Sequence, residues 1–231
     1  CDVFLNFAGI SNVNDAQSKA SQMLQTNIVG NINALEACVS NRVKNYAYIS
    51  SVYASSNSGS FYGISKRCAE QIIEEYHKKM GVNYLTLRVG SVYGPQPSHN
   101  NALLNLIKRA VTDKEITHIG NGEEIREYIH VNDVMQTIKV LLNDDKFYNS
   151  SYLITGPEKI KRKDLFLMIE ETLGEPVKIK YVSGEKSLHY QYTPYTIKRD
   201  YCRKFILDSY VDFGEGIKDC INSVLEKDHQ S

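Results

Sequence analysis

Asn45-Tyr46-Ala47-Tyr48-Ile49-Ser50-Ser51, then a short serine-rich stretch, then Phe61-Tyr62-Gly63-Ile64-Ser65-Lys66: this run decides how the chain is read. Its first seven residues, aromatic and aliphatic and ending in two hydroxyls, predict a buried strand. Residues 54–60, mostly serine with an Asn and a Gly, predict a loop. A helix is predicted from Phe61 to about Lys79. Tyr62 and Lys66 stand four residues apart, one helical turn, so their side chains fall on one face.

That pairing has a chemical consequence. A phenol titrates near pH ~10, but a neighbouring ammonium favours the phenolate, so a tyrosine so placed can accept a proton near neutrality. Ser51, at the strand tip, can hydrogen-bond the oxygen whose proton is moved. Ser51, Tyr62 and Lys66 together describe an acid/base site that interconverts an alcohol and a carbonyl. Such a reaction needs a hydride carrier, which implies a nicotinamide cofactor, NAD or NADP. Tyrosine and lysine also meet at this spacing by chance; the strand-end serines and the order of the surrounding elements favour the functional reading.

Composition narrows the classes. The 231 residues, 42% hydrophobic and 10% aromatic, allow one ample core or a domain and a half. Basic and acidic residues number 27 each, so no net field draws nucleic acid or an anionic membrane surface. Cys1, Cys38, Cys68, Cys202 and Cys220 are odd in number, scattered and never in a C-x-x-C pair, which points to a reducing cytosol and packing roles. No apolar run approaches the ~18 residues a bilayer span requires, and no signal-peptide pattern opens the chain, so a cytoplasmic protein is expected. The histidines show no metal-ligand spacing, and no metal site is expected.

Working outward, Cys1 to Gly9 reads as a short buried strand entering a tight glycine turn through Ala8 and Gly9. Asn14 to about Val39 reads as one amphipathic helix, capped by Asn14 or Asp15, with Met23, Leu24, Ile28, Ile32, Leu35 and Ala37 on or near one face. It contains Asn27-Ile-Val-Gly30. Beyond the central stretch come Arg88-Val-Gly-Ser91-Val-Tyr-Gly-Pro95 and Gly120-Asn-Gly122 leading to Arg126-Glu-Tyr-Ile-His-Val-Asn-Asp133. In order and spacing these resemble the extended short-chain dehydrogenase/reductase family, the sugar-nucleotide epimerases, dehydratases and reductases, over essentially the whole chain.

The resemblance implies an α/β fold: a doubly wound parallel, Rossmann-like sheet with a smaller α+β substrate lobe. Residues 1–96 and 127–157 would form the partial dinucleotide-binding domain, and 97–126 and 158–231 the substrate lobe. It assigns catalysis to Ser51, Tyr62 and Lys66, and cofactor contacts to Ala8, Gly9, Asn27, Tyr62, Lys66 and Ser91. Substrate contacts fall to Ser51 and Arg126, whose guanidinium fork matches the diphosphate of a nucleotide-linked sugar. Arg88 belongs either to the cofactor segment or to a structural ion pair, and Asn27 either holds the site or bonds across to a strand. Asp133 is expected to cap the helix through Leu142. Tyr190, Tyr192 and Tyr195 form either a sugar-facing wall or a cover for the core edge, and the same loop offers Lys186 where relatives often have an arginine. Tyr201–Leu207 and Gly214–Leu225 resemble closing helices.

Three departures from the family pattern bear on function. The glycine-rich turn that holds the cofactor diphosphate is absent, as is the acidic residue that reads the adenosine ribose, so the sheet is expected to be N-terminally incomplete and the chain part of a longer polypeptide. The chain as it stands is then expected to bind a dinucleotide weakly. Ser51 and Tyr62 are separated by only eleven residues (62 − 51), leaving no substrate-contacting insert. Val52 and Tyr53 stand where dehydratases carry an Asp-Glu pair, which argues against dehydration. An epimerase leads, a reductase of a nucleotide-linked keto-sugar uses the same residues, and a non-catalytic nucleotide-sugar-binding homologue is the third reading. A homodimer through the helices around Gln25 and Glu70 is implied by the resemblance alone.

Overall fold

The computed structural model describes residues 1–16, 18–95, 101–184, 191–193 and 202–228. Lys186, Tyr190 and Tyr195 lie outside the described residues.

The chain opens with β1 (Val3–Asn6), turns at Gly9, and enters α1 (Ala20–Leu24). A π-helical turn, Gln25–Val29, joins α1 to α2 (Gly30–Ser40). Then follow β2 (Asn45–Ser51), α3 (Ser60–Met80), β3 (Asn83–Val89), β4 (Ser91–Tyr93), α4 (Ala102–Thr112) and β5 (Glu115–Ile119). The remainder is β6 (Ile125–Arg126), β7 (Tyr128–His130), α5 (Val131–Leu142), β8 (Ser150–Ile154), β9 (Ile160–Lys161), α6 (Arg162–Leu173), β10 (Lys178–Val182), β11 (Cys202–Lys204) and α7 (Phe213–Asp228).

Two compact units result. The first comprises Cys1–Gly90, Gln136–Ile154 and the described part of 188–206. It is built on a five-stranded sheet in the order β1-β2-β3-β8-β11, parallel throughout. This is a Rossmann-like parallel sheet with flanking helices. Strand β2 sits inside it, which is why Tyr46, Ala47 and Tyr48 are all buried, whichever face they take. Leu35, Cys38, Tyr46, Tyr48, Ala69 and Ile73 form one apolar cluster between the sheet and helices α2 and α3, each large side chain contributing about 1.5–3 kcal/mol.

The second unit comprises Ser91–Met135, 155–187 and 207–231 so far as they are described. It contains the parallel pairs β4–β7 and β5–β10 and the antiparallel pair β6–β9. Helices α4, α6 and α7 close over a core of Leu103, Ile107, Phe166, Ile169, Ile217 and Ile221. Asn101 starts α4 by accepting from the Leu103 and Leu104 N–H groups at 3.1 and 3.0 Å.

These units divide the chain differently from the spans expected above. Residues 127–135 go with the second unit because β7 pairs with β4, and 202–206 go with the first because β11 pairs with β8.

The single helix expected over Asn14–Val39 is interrupted. Its buried positions are Met23, Asn27, Asn31, Leu35 and Cys38, a stripe whose four-residue steps from Met23 to Leu35 drift around a regular 3.6-residue helix. The wide π turn absorbs the drift and keeps all five facing inward. Ala37 is exposed, and Leu24, Ile28 and Ile32 are only half-buried. The helix expected at Tyr201–Leu207 is instead strand β11, held by ladder bonds to β8. Asp133 does not cap α5. It lies in the first turn, buried, and its carboxylate accepts the Val211 N–H at 3.2 Å.

Candidate active site

Side-chain alternation along β2 sends its two terminal hydroxyls different ways. Ser50 is buried and donates to the Glu70 carboxylate of α3. Ser51 Oγ accepts the Tyr53 N–H at 3.3 Å and caps the short 3-10 turn Val52–Ser55 that leads toward α3. Ser50 is therefore committed to the framework. Ser51 marks the strand tip.

Helix α3 carries Tyr62 and Lys66 inward, at 7% and 5% exposure, with Ser51 at 6%. Two features of the sequence fix it there. Gly63 lets the helix approach the turn before it, since a Cβ at that position would meet Ser58 O at 2.7 Å and Tyr53 O at 3.2 Å. Ser65 is fully buried, donates to Tyr62 O at 2.8 Å and accepts from Asn27 Nδ2 at 2.9 Å. The Tyr53 ring meets the Tyr62 ring edge-on, with centroids 5.7 Å apart. Val52 and Tyr53, where an acidic pair would stand in a dehydratase, belong to an apolar cluster with Val13, Met23 and Tyr62.

Lys66 Nζ donates to Ile49 O at 2.8 Å, lies 4.7 Å from the Tyr48 ring centroid and 5.9 Å from that of Tyr62. Burial lowers its pKa from 10.5 to about 8, opposed by the attraction of Glu70. Beneath it the Tyr48 hydroxyl is buried with no hydrogen-bond partner, and burial raises its pKa further above the ordinary phenol value.

Asn27 is the link to the first turn. Its side chain accepts from Ile10 N at 2.7 Å and donates to Ile10 O at 3.0 Å, pinning the backbone just after Gly9. The turn itself is opened by Asn6, whose Oδ1 accepts the Ala8 N–H at 2.9 Å. A Cβ on Gly9 would fall 3.1 Å from Asn27 Oδ1 and 3.5 Å from Lys66 Nζ, so the exposed Ala8–Gly9 backbone and the lysine border the same space.

Arg88 resolves into the structural ion pair. Its guanidinium grips Glu70 through Nε and Nη2, with an Nη2–Oε2 distance of 2.7 Å, and donates from Nη1 to Ser55 Oγ at 2.9 Å. One signal for Glu70 and Ser65 was present in the sequence: they lie on the same helical face as Tyr62 and Lys66, at three- and four-residue steps.

Ser91 and Arg126 belong to the second unit. Ser91 opens β4 opposite Tyr128 of β7. Arg126 is buried and donates from Nη1 to Ile125 O at 3.0 Å. Arg162, which directly follows β9, donates to the Tyr128 hydroxyl at 2.8 Å, and its buried Nε has no hydrogen-bond partner. A cavity of about 200 Å³ in this unit is lined by Tyr128, Tyr210 and Phe213 together with Asp133, Glu158 and Asp212. Among the described residues no Lys or Arg lines it, a lining that does not favour a diphosphate. No cluster of metal-ligating side chains occurs among the described residues, and no described helix is long and apolar enough to cross a membrane.

The chain resembles known proteins over both units. An uncharacterised UDP-glucose epimerase of Bacillus subtilis, YtcB, is 26% identical over 168 residues, 66% of this chain and 53% of that protein. A dTDP-4-dehydro-6-deoxy-D-allose reductase of Streptomyces bikiniensis is 28% identical over 127 residues, 53% of this chain and 38% of its own. The chain thus spans about half or less of these curated relatives. Among solved structures, the UDP-glucuronic acid 4-epimerase of Bacillus cereus, in complex with UDP-glucuronic acid and NAD, superposes with a TM-score of 0.86 at 23% identity, covering 98% of this chain and 76% of that one. The model of the NAD dependent epimerase/dehydratase family matches residues 1–154, more than half of the chain and all of the Ser51–Lys66 stretch, and the chain belongs to that family.

Proposed function

We propose that the protein is an NAD-dependent sugar-nucleotide epimerase whose acid/base site is Ser51, Tyr62 and Lys66. The observation that supports this reading is the position of Lys66 Nζ, 5.9 Å from the Tyr62 ring centroid and beside the Asn27-pinned Gly9 turn, in the unit that also carries buried Ser51 at the tip of β2. Residues for the nicotinamide ribose are present in kind. An ammonium has three donors, and Lys66 spends one on Ile49 O beside the open backbone of Ala8 and Gly9. When bound, NAD supplies hydride uptake and return.

The chain's own residues do the rest. Ser51 Oγ holds the sugar oxygen, Tyr62 takes the hydroxyl proton and gives it back, and the Lys66 ammonium favours the phenolate and holds the ribose hydroxyls. Arg126 pairs with the substrate diphosphate. Packing of Val52 and Tyr53 into an apolar cluster leaves no acid there for water loss, which favours epimerisation over dehydration. A reductase of a nucleotide-linked keto-sugar is the second reading, favoured by the Streptomyces relative.

A homodimer is proposed from the family resemblance. Glu70 is not available to it, because its carboxylate is buried on Arg88. A cytoplasmic setting suits the five cysteines, all of them free.

The test is Tyr62→Phe in the full gene product, assayed with NAD and a panel of UDP- and dTDP-hexoses. Turnover is expected to fall about 10²–10⁴-fold with sugar-nucleotide affinity nearly intact. Turnover retained by the phenylalanine variant removes Tyr62 from the chemistry. Catalytic cycling of bound NAD marks the epimerase, and stoichiometric consumption of NADH marks the reductase.

A further inference from the structure

Lys66 sits in a setting that does not favour a charge. Its amine is buried against one backbone carbonyl and the faces of two phenols, none of which carries a formal negative charge in its neutral form. The carboxylate that acts on it is Glu70, one helical turn further along α3. Glu70 is itself held from three elements. Ser50 of β2 donates to it, Arg88 of β3 grips both of its oxygens, and Arg88 in turn reaches Ser55 in the turn that carries Tyr53.

We propose that Glu70 is a positioning residue for this site: clamped by Arg88 and Ser50, it holds the Lys66 amine in its ammonium form beside Tyr62. The inference rests on the reading of Lys66 as the partner of Tyr62. The groups facing Lys66 are Tyr48 of β2 and Tyr62 and Glu70 of its own helix, with Arg88 of β3 joined through Glu70 and Cys68 beside Tyr48. Tyr48 stays neutral because burial disfavours its phenolate, so the charge that opposes the burial of Lys66 is that of Glu70, and Arg88, paired with Glu70, offsets part of its field.

Their opposite signs give a diagnostic. If the clamp only braces α3, breaking it from either side disturbs Lys66 in the same way. If it sets the field, removing the negative partner and removing the positive one move Lys66 in opposite directions.

The experiment is ¹³C NMR of lysine-labelled protein titrated from pH 6 to 11, with the Lys66 signal identified by its loss in Lys66→Met. Glu70→Gln is expected to lower the Lys66 midpoint by about one pH unit, a tenfold loss of proton affinity. Arg88→Met is expected to raise it, and Ser50→Ala, which breaks the same clamp without changing charge, to leave it in place. Shifts of the same sign in the two charge variants, or no shift in either, overturn the proposal. Should one of those two fail to fold, the other decides by comparison with Ser50→Ala: a shift of the expected sign beside an unmoved Ser50→Ala midpoint supports the proposal, and an equal shift in both overturns it. The titration reads Lys66 and not turnover, so an active Tyr62→Phe enzyme would remove the catalytic reading while leaving this result intact.

Discussion

Replacing Lys66 by methionine should make the protein more stable at neutral pH, and the advantage should vanish in alkali. In the folded chain the ammonium gives up its proton at about 8, against 10.5 for an ordinary lysine. Between those values the unfolded chain binds more protons than the folded one, so wild-type stability rises with pH across the window and the cost of burying the charge is fully present only below about 8. At 1.36 kcal/mol per unit, the depression is worth about 3 kcal/mol. Methionine fills similar volume and escapes that cost, but forfeits the hydrogen bond to Ile49 O, worth about 1 kcal/mol. Net, the variant is expected to lead by roughly 2 kcal/mol at pH 7, and to lose about 3 kcal/mol of that comparison by pH 10.5, so the two curves cross. Urea melts of both proteins at half-unit pH steps measure this. Tyr46 and Cys220, whose protons are held more tightly in the fold, lower stability in strong alkali, but they do so in both proteins and cancel in the difference. A gap that stays constant with pH would refute the account of Lys66 as a desolvated, titrating amine.

Two further outcomes are expected. Gly63→Ala should destabilise the protein by about 1–2 kcal/mol, the backbone clash outweighing alanine's better helix propensity; because the atoms it meets belong to Ser58 and Tyr53, thermal melts should show the loss even with Tyr62 intact. Arg126→Ala should weaken UDP-glucose and dTDP-glucose binding by roughly 10–100-fold in calorimetry of the full gene product, and an unchanged affinity would exclude Arg126 from the phosphate subsite.

The parts of the fold that were legible in the sequence are those whose signal is local. Strand β2 announces itself by its aromatic and aliphatic run, and α3 by a long amphipathic pattern closed by Gly81 in a left-handed conformation. Helices α1 and α2 were harder to read, since Asn27 and Asn31 count as polar in any periodicity yet lie on the buried stripe. Strand β11 was missed because its short run gains its conformation from β8 rather than from its own residues. At the site, the Tyr62–Lys66 spacing was readable. The division of labour between Ser50 and Ser51 was not, because it depends on what waits opposite each face of the strand. Arg88 likewise needed its partner Glu70, eighteen residues away, before its role could be assigned.

The wide turn at Gln25–Val29 makes the first unit unusually intolerant of one kind of change. A loop shrugs off the gain of a residue; this helix cannot. Inserting one more position there, where the turn already accommodates a residue beyond ordinary winding, would swivel everything upstream by about 100°. Met23 would then face water, while Asn27 could no longer grasp the backbone beside Gly9. Length at this point is as strict a requirement as the identity of the asparagine.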